Sequence, residues 1–311
     1  MKIVFLDAAT LGSDADFREI EQYGSLILYP FTDKSEIVER ARGVEILIVN
    51  KVVIGKEEMD RLPELKLICV AATGVNNIDV VYAKERGIVV RNAVGYSTES
   101  VAQITFGSLL SLINSSIYFD NVVKSGEYSD GNSFTDTGRS FFELNGKKFG
   151  IIGMGAIGKR VAEIATAFGA DVCYYSTNGI AHNSDYPCVS LEDMLRECDI
   201  ISVHAPLNEK TNNLISMREL KMSKPNSIFV NMGRGGIINE ADLAEALDND
   251  IIGGAVVDVF SREPLPIDHP YMSLNNKDKI LMTPHVGWAS IEARKRLITI
   301  IAKNIGEWIL Q

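Results

Sequence analysis

The chain has 311 residues, of which 46% are hydrophobic, and its formal net charge at pH 7 is −10. This length is enough for two domains, each with its own core. So acidic a chain lacks the clustered Lys and Arg that phosphate backbones require, which argues against a nucleic-acid partner. The longest apolar runs are shorter than the roughly 18 to 20 residues of a membrane span, and no charged-then-apolar leader is present. We therefore expect a soluble protein with no membrane partner.

The cysteines indicate the redox compartment. Cys69, Cys173, Cys188 and Cys198 include no C-x-x-C pair, and the first two lie in apolar, strand-like runs. A free thiol in such a run behaves as a small hydrophobic side chain. We therefore expect a reducing, cytoplasmic location. No group of His, Cys, Asp and Glu has metal-ligand spacing, so no metal site is predicted.

Short β-rich runs alternate with polar, helix-permissive segments through the first hundred residues. The runs are KIVFLD, SLILYP, EILIVN, KLICVAAT and GIVVRNAV. The pattern restarts between residues 147 and 285 with KKFGIIG, ADVCYYS, DIISVHAP, SIFVNMG, IIGGAVVDVF and KILMTPH. Such alternation predicts parallel strands joined by crossover helices. We predict an α/β fold of two doubly wound parallel-sheet domains.

Three further segments connect or extend these domains. Residues 99–119 are apolar nearly all round, which predicts one buried helix long enough to pass between the domains. Residues 125–146 are rich in Gly and Ser with interleaved aromatics, and so long a loop is expected to be held by a partner surface or a second chain. A capped helix is predicted from Ser290 and is expected to cover the first domain. Its apolar stripe comprises Ile291, Leu297, Ile298, Ile301, Ile305 and Trp308.

A glycine-rich turn follows the first strand of the second set. The sequence Gly153-Met-Gly155-Ala-Ile-Gly158 stands between a strand ending at Ile152 and a helix predicted from Lys159. In such a motif the first glycine permits a tight turn, the second lets backbone approach a pyrophosphate, and the third allows close helix packing. The motif predicts dinucleotide binding. Glycines at a tight turn without a ligand are the alternative.

The residues after this motif bear on the choice of cofactor. The amides of Ala156 and Ile157 would direct the positive end of the helix dipole at the phosphates. An acid at the end of the next strand would select NAD, and an Arg nearby would select NADP. That strand ends instead in Ser176 and Thr177, which can bond a ribose hydroxyl and do not repel a phosphate, and no Lys or Arg lies between residues 171 and 195. We expect NAD, with NADP as the open alternative.

Ionisable side chains follow three of the later strands, where ligands bind in open α/β folds. Arg234 lies in NMGRGG, Glu263 in DVFSREP and His285 in TPHVGW. A guanidinium matches a carboxylate, and an imidazole suits proton transfer. We expect the three to converge on one catalytic crevice. The alternatives are a structural histidine, a surface pair of Glu263 with Arg262, and a salt bridge from Arg234 to the helix near Glu240.

The other three histidines are weaker candidates for a catalytic role. His204 opens HAPLNEKTNN, in which Pro206 and Thr211 are expected to border the cofactor. His182 and His269 lie in polar loops and are expected to face solvent.

These motifs resemble the D-isomer-specific 2-hydroxyacid dehydrogenase family over essentially the whole chain. The matching pieces, in family order and spacing, are GIIGMGAIGKRVA, VHAPLNEKTNNLI, NMGRGGIINEADLAEAL, VVDVFSREPLP and MTPHVGWAS. NKVV, ATGVNNIDV, YSTESVAQ and the Trp of HVGW are most similar to the glycerate dehydrogenase, or hydroxypyruvate reductase, branch.

The resemblance implies two domains with an active-site cleft between them. Residues 1–98 and 287–311 would form a flavodoxin-like substrate-binding domain. Residues 99–286 would form a Rossmann NAD(P)-binding domain. This second domain would include an arm, residues 115–146, through which the family implies a homodimer.

The resemblance also implies residue roles. Arg234 would hold the substrate carboxylate and polarise the 2-oxo group. His285 would protonate the carbonyl oxygen as hydride arrives and take the proton back in oxidation, and Glu263 would fix its tautomer and favour the charged ring. Lys51 would tune substrate choice, with a plain surface lysine as the alternative. Further substrate-binding residues would be Thr73, Gly74, Val75 and Asn76.

The implied cofactor site is larger. Asp258 would bind the nicotinamide carboxamide, with Thr98 near the same ring. The other cofactor-binding residues would be Gly153, Gly155, Ala156, Ile157, Gly158, Ser176, Thr177, His204, Pro206, Thr211 and Met232.

We therefore expect an NAD(P)-dependent oxidoreductase that transfers a hydride between nicotinamide and a small D-2-hydroxy acid or 2-oxo acid. Glycerate with hydroxypyruvate, or glyoxylate, is the expected substrate. D-lactate-type and phosphoglycerate-type dehydrogenases are alternatives within the family. A nucleotide-sensing, corepressor-like binding protein is the alternative from another class.

Overall fold

The computed structural model describes residues 1–181 and 185–311, which form two compact units. One unit consists of Met1–Ser97 and Trp288–Gln311, and the other of Thr98–Gly287. His182, expected to face solvent, lies outside the described residues.

The first unit is built on a five-stranded parallel sheet, with one strand from each predicted run. Its strands are β1 (Lys2–Phe5), β2 (Ser25–Leu28), β3 (Ile46–Val49), β4 (Leu67–Val70) and β5 (Val89–Asn92). Their order in the sheet is β2-β1-β3-β4-β5. This is the order of flavodoxin-like, doubly wound folds, in which ligands bind beyond the carboxyl ends of the strands.

The second unit contains a six-stranded parallel sheet. Its strands are β6 (Lys148–Ile152), β7 (Asp171–Tyr175), β8 (Ile200–Val203), β9 (Ile228–Asn231), β10 (Gly254–Val257) and β11 (Ile280–Met282). The order is β11-β10-β9-β8-β6-β7, and an isolated parallel bridge between Tyr174 and Cys188 continues the sheet beyond β7. With that bridge as a vestigial third strand, the order is that of a Rossmann sheet. The predicted fold class is confirmed.

Helices connect the strands in both units. They are α1 (Arg18–Glu21), α2 (Ile37–Arg40), α3 (Lys56–Asp60), α4 (Val80–Glu85), α5 (Thr98–Ile113), α6 (Ser116–Lys124), α7 (Glu127–Asp130), α8 (Ala156–Ala167), α9 (Leu191–Glu197), α10 (Met217–Leu220), α11 (Glu240–Asp248) and α12 (Ile291–Ile309). Short 3₁₀ turns occupy Ala8–Leu11, Lys34–Glu36, Pro270–Ser273 and Lys277–Lys279.

Each sheet has a hydrophobic cluster on both faces. β3, β4, β8, β9 and β10 are buried along their whole length. A parallel strand covered on both faces is apolar at every position, which explains why the sequence shows continuous apolar runs there.

The C-terminal helix α12 packs on the first sheet. The Ser290 side chain accepts a hydrogen bond from the Ala293 amide and caps the helix. The predicted stripe from Leu297 to Ile305 is buried, and Trp308 is partly buried against the same cluster. The prediction was wrong for Ile291, which is 53% exposed. Helical side chains lean toward the N-terminus, so a residue at the first position points beyond the helix end.

The prediction of a single long helix over residues 99–119 is also wrong. α5 ends at Ile113, Ser115 has a left-handed φ of 48°, and α6 leaves at 62° with none of its residues buried. The run Asn114-Ser-Ser explains the break, because these side chains compete for backbone hydrogen bonds. No single described helix is long and apolar enough to cross a membrane. α5 and α6 together have the necessary length and apolar composition, but the chain bends by 62° between them.

Candidate active site

The glycine turn after β6 is shaped by close backbone contacts. Gly153 has a φ of 95°, and a Cβ on it would lie 2.8 Å from the backbone of Ala205. A Cβ on Gly158 would lie 2.2 Å from the Gly153 carbonyl oxygen. Neither position therefore accepts another residue without displacing its neighbour. A Cβ on Gly155 would meet no described atom within 4 Å, so the backbone there faces open space.

The helix behind this turn begins earlier than predicted, at Ala156 rather than at Lys159. The Lys159 amide already donates to the Gly155 carbonyl. The Ala156 and Ile157 amides thus belong to the first turn of a helix, where N–H groups have no partner within the helix. Such a turn, behind an open glycine, provides an anion-binding position that fits a pyrophosphate.

A cavity of 790 Å³ lies at the carboxyl ends of β6, β7 and β8. It is lined by Gly153, Met154, Gly155, Tyr174, Ser176, Thr177, Asn178, His204, Pro206, Asn208, Glu209 and Lys210. The predicted cofactor residues from the glycine turn, the end of β7 and the end of β8 therefore surround one cavity. The other predicted cofactor residues are not in its lining; they are Ala156, Ile157, Gly158, Thr211, Met232, Asp258 and Thr98.

At the end of β7, the Ser176 hydroxyl is not free to bond a ribose as the sequence suggested. Ser176 is buried, and its hydroxyl lies 2.8 Å from Asn178 Oδ1 and 2.6 Å from the Ile180 carbonyl oxygen. The hydroxyl is therefore engaged within its own turn, while Thr177 is more exposed. Lys210, which sequence reasoning missed, lines the same cavity. The missed signal was its place in HAPLNEKTNN, a segment already expected to border the cofactor.

His204 carries the only buried side-chain nitrogen without a hydrogen-bond partner among the described residues. Its Nε2 lies 2.8 Å from Ser202 Oγ, whereas its Nδ1 has no partner. Burial lowers the pKa of His204 to about 3, so the ring is neutral at physiological pH. An unpaired polar atom at a cavity is costly until a ligand satisfies it.

Two other predicted cofactor residues have structural partners. The Thr211 hydroxyl donates to the Pro206 carbonyl and accepts from the Asn208 amide, so it shapes the turn that carries Pro206. Met232 packs in the core of the second unit. Thr98 is the first residue of α5.

His285 and Glu263 form a close pair. His285 Nδ1 lies 2.7 Å from Glu263 Oε2, and the other oxygen of Glu263 accepts from the Phe260 amide at 3.0 Å. A carboxylate only accepts, so Nδ1 carries the proton. This leaves Nε2 of a half-buried imidazole as the nitrogen available for proton exchange.

The backbone of His285 is held in an unfavourable conformation. Its φ is 54°, in the left-handed region that costs a non-glycine residue about 1–3 kcal/mol. The buried Asp258 carboxylate accepts hydrogen bonds from the Val286 and Gly287 amides, both at 2.9 Å, and from the Thr283 hydroxyl at 2.5 Å. Asp258 therefore clamps the loop that carries His285. Its predicted contact with the nicotinamide stays a prediction.

Arg234 lies on the loop after β9 between two glycines in tight contact. A Cβ on Gly233 would lie 2.8 Å from the Ala205 carbonyl oxygen, and one on Gly235 would lie 1.9 Å from the Phe260 backbone. Within the described residues, the guanidinium makes no ion pair and donates only to the Gly233 carbonyl. The loop thus contacts Phe260, whose amide bonds Glu263, so Arg234 and the His285–Glu263 pair are linked through one residue.

The alternative partner of Arg234, Glu240, is engaged elsewhere. It accepts from the Ser261 amide at 2.6 Å and pairs with His269 Nε2 at 2.9 Å. His269 was expected to face solvent and is instead buried, because its Nδ1 caps the Pro270–Ser273 turn by accepting from the Tyr271 amide.

The first unit brings together the other predicted substrate residues at the ends of β3 and β4. Buried Asp7, at the end of β1, accepts from the amides of Asn50, Lys51 and Val52. Asn77 Nδ2 donates to the Val52 carbonyl at 2.9 Å and ties this loop to the next. Sequence reasoning missed both residues, although an Asp that ends the run KIVFLD was a usable signal.

The neighbouring loop, Thr73–Asn76, is fixed at its start. The Thr73 hydroxyl donates to the Ala93 carbonyl, and Asn92 Nδ2 donates to the Thr73 carbonyl. Val75 is partly buried and packs against the core of the first unit. Among the described residues, no group of three or more His, Cys, Asp or Glu side chains could hold a metal ion.

Comparison with known proteins identifies the family. The family model "D-isomer specific 2-hydroxyacid dehydrogenase, NAD binding domain" matches residues 106–287. A hydroxypyruvate reductase of Blautia hydrogenotrophica is 34% identical, over 99% of this chain and 97% of its own. A glycerate dehydrogenase of Methylorubrum extorquens is 35% identical, over 99% and 96%.

A solved structure gives the same answer. The D-lactate dehydrogenase of Aquifex aeolicus, complexed with NAD and lactic acid, has a TM-score of 0.84 at 27% identity, over 99% of this chain and 95% of that one. The resemblance carried by the sequence motifs is confirmed. The chain therefore belongs to the D-isomer specific 2-hydroxyacid dehydrogenase family and is an NAD(P)-dependent oxidoreductase that acts on the CH–OH group of 2-hydroxy acids.

Proposed function

We propose that this protein reduces hydroxypyruvate or glyoxylate and, in reverse, oxidises D-glycerate. The observation that carries the proposal is the His285–Glu263 pair at 2.7 Å. On the adjoining loop Arg234 makes no ion pair with any described residue. Proton transfer and carboxylate binding are the two tasks that reduction of a 2-oxo acid sets for the protein. The names of the relatives from Blautia and Methylorubrum support the choice of acid.

The proposed mechanism assigns one task to each residue. Bound nicotinamide dinucleotide supplies the hydride in reduction and accepts it in oxidation. Arg234 presents its planar fork to the substrate carboxylate. His285 donates the Nε2 proton to the carbonyl oxygen, and Glu263 keeps the proton on Nδ1 and stabilises the imidazolium in the reverse direction. Asp258 holds the His285 loop in place throughout.

The first unit contributes to substrate binding in this proposal. Thr73–Asn76 and Lys51 follow neighbouring strands, and the bonds of Asp7 and Asn77 fix both loops. Backbone amides of the Thr73–Asn76 loop would help hold the substrate, and Lys51 would tune substrate choice. The two units thus correspond to a substrate-binding and a cofactor-binding domain.

The choice between NAD and NADP rests on Lys210 in this proposal. It lines the dinucleotide cavity with Ser176 and Thr177 and makes no ion pair in the described part of the chain. Its ammonium would attract the 2′-phosphate of NADP, although Glu209 in the same lining opposes it. Although no basic residue lies near β7 in the sequence, Lys210 lies near the end of β7 in the fold. We infer that both dinucleotides are used.

The arm of residues 115–146 supports a homodimer. Ile117, Val123, Tyr128, Phe134 and Phe141 are exposed on it, and Phe134 is 91% exposed. So many large apolar side chains on one segment mark an interaction surface. We propose that a second copy of the chain covers them.

A cytoplasmic location belongs to the same proposal. All four cysteines are free, the state that a reducing compartment maintains. Fractionation of the source cells, with a periplasmic or secreted marker as reference, checks the location.

The first prediction separates catalysis from binding. His285→Ala should lower kcat for hydroxypyruvate by roughly 10²–10⁴-fold, because the proton donor is removed. NADH affinity should stay within about twofold, because the glycine turn is untouched. Absorbance of the reduced nicotinamide measures kcat, and a fluorescence titration with NADH measures the affinity for the cofactor. Comparable loss of both would make His285 structural, and a wild type that binds NADH but reduces no 2-oxo acid would leave the sensor alternative.

The second prediction concerns the carboxylate fork. Arg234→Lys should raise the KM for hydroxypyruvate by at least about tenfold, because an ammonium cannot make two parallel bonds to a carboxylate. Arg262→Lys is the matched control, since Arg262 is exposed on a nearby loop and should leave the kinetics unchanged. Equal effects of the two substitutions would remove Arg234 from the substrate site.

The third prediction concerns cofactor choice. Lys210→Met should lower kcat/KM for NADPH by roughly tenfold, since a bond to a charged group contributes on the order of 1.5 kcal/mol, and should barely change NADH kinetics. Ser176→Asp should likewise sharpen the preference for NAD. Lys221→Met is the control, since Lys221 is exposed outside the cavity lining. Parallel loss of NADH and NADPH activity in Lys210→Met would refute the assignment.

The fourth prediction tests the arm. Light scattering coupled to gel filtration should give twice the mass of one chain for the wild type and a single-chain mass for the double variant Phe134→Ser, Phe141→Ser. Phe31→Ser is the control, because Phe31 is 72% exposed outside the arm and should leave the dimer intact. A monomeric wild type contradicts the proposal, as does a double variant that stays dimeric on dilution.

A further inference from the structure

Two free cysteines of the second unit lie in contact. Cys173 is the central residue of β7, and Cys198 directly follows α9. Their Sγ atoms are 3.6 Å apart. A disulfide bond has an S–S length of about 2.05 Å, so the two sulfurs need to approach by about 1.5 Å. Neither residue belongs to the cofactor or substrate positions described above.

The neighbouring strand leaves room for this contact. Gly150 of β6 is paired in register with Cys173. A Cβ on Gly150 would lie 3.0 Å from Cys198 Sγ and 2.7 Å from Met194 Cγ. A larger residue in β6 would therefore push Cys198 away, and the glycine keeps the two sulfurs together.

A small solvent-connected cavity gives access to the pair. It has a volume of 140 Å³ and is lined by both cysteines and by Lys148, among others. Cys173 is partly exposed there, whereas Cys198 is fully buried behind it. A small oxidant would therefore meet Cys173 first.

The two thiols are electrostatically unequal. A hydrogen bond from the Cys198 thiol lowers the pKa of Cys173 and outweighs burial and the charge of Asp171, both of which raise it. The charges of Lys148, which lowers this pKa, and Glu197, which raises it, have smaller effects. The same hydrogen bond, together with burial, raises the pKa of Cys198. Cys173 is thus the better nucleophile, and Cys198 is the thiol placed to resolve it.

We propose that Cys173 and Cys198 are a peroxide-reactive pair that closes to a reversible disulfide. The Cys173 thiolate attacks one oxygen of hydrogen peroxide, and the O–O bond breaks. Hydroxide is released from the peroxide, and Cys173 becomes a sulfenic acid. The Cys198 sulfur then attacks the Cys173 sulfur, the S–O bond breaks, and water leaves with the Cys198 proton. Two electrons pass from the sulfurs to the peroxide, and with the protonated hydroxide two water molecules form.

Cys188 provides an internal control. It is exposed, and its bridge with Tyr174 places its side chain on the face of the sheet occupied by Tyr174. Successive side chains of a strand alternate between faces, so Cys173 points to the other side. Exposure alone predicts that Cys188 is oxidised first, whereas the geometry of the pair predicts Cys173.

The test is thiol mapping of the full-length protein. Reduced wild type is treated with hydrogen peroxide, alkylated with N-ethylmaleimide under denaturing conditions, digested and analysed by mass spectrometry. We expect a linked peptide pair containing Cys173 and Cys198, lighter by two hydrogen atoms than the reduced peptides, which dithiothreitol separates. Cys188 should remain alkylated.

Two variants sharpen the result. Cys188→Ser should form the same link. Cys198→Ser should form none and should accumulate Cys173 sulfenic acid that dimedone traps. The proposal is overturned if Cys188 is oxidised before Cys173, if Cys173 proceeds to sulfinic acid in the wild type without linking, or if Cys198→Ser yields no sulfenic acid at Cys173.

Discussion

The candidate site depends on close backbone contact between the loops that follow neighbouring strands of the second sheet. Gly153 after β6 and Gly233 after β9 both lie against Ala205 after β8, and Gly235 lies against Phe260 after β10. At each contact a Cβ would come within 3 Å of another backbone, so the loops meet where a side chain is missing. Since the carboxyl ends of parallel strands lie at one edge, these contacts hold the glycine turn, the Arg234 guanidinium and the Glu263 carboxylate on one framework.

The His285–Glu263 pair adds backbone strain to this framework. The left-handed φ of His285 costs about 1–3 kcal/mol. Asp258 offsets it with three hydrogen bonds from the same loop, and bonds to a charged group contribute on the order of 1.5–3 kcal/mol each. The clamp therefore outweighs the strain, and Glu263 fixes the ring against the loop next to Arg234. The buried Asp258 carboxylate thus fixes the position of the loop that carries the proposed proton donor, His285.

The strands and the strand-end residues could be predicted because both obey local rules. Strands covered on both faces are apolar throughout. The residues that directly follow parallel strands lie at the same edge of the sheet, whatever path the connecting segments take. Lys210 could not be placed, because only the folded turn after β8 brings it to the end of β7. His269 and Ile291 were misjudged for the same reason: burial of a loop histidine depends on a distant acid, Glu240, and exposure of an apolar residue depends on where the helix begins.

These arrangements also bear on the alternative that the protein only senses nucleotide. Nucleotide binding alone would use the glycine turn and the cavity, which lie within the loops after β6, β7 and β8 together with the unpaired Nδ1 of His204. It requires neither a strained His285 nor a carboxylate on its Nδ1, which lie after β10 and β11. A conformation that costs free energy persists where the surrounding structure enforces it, and such strain clusters at active sites. The clamp of Asp258 on the His285 loop therefore favours a catalyst over a sensor.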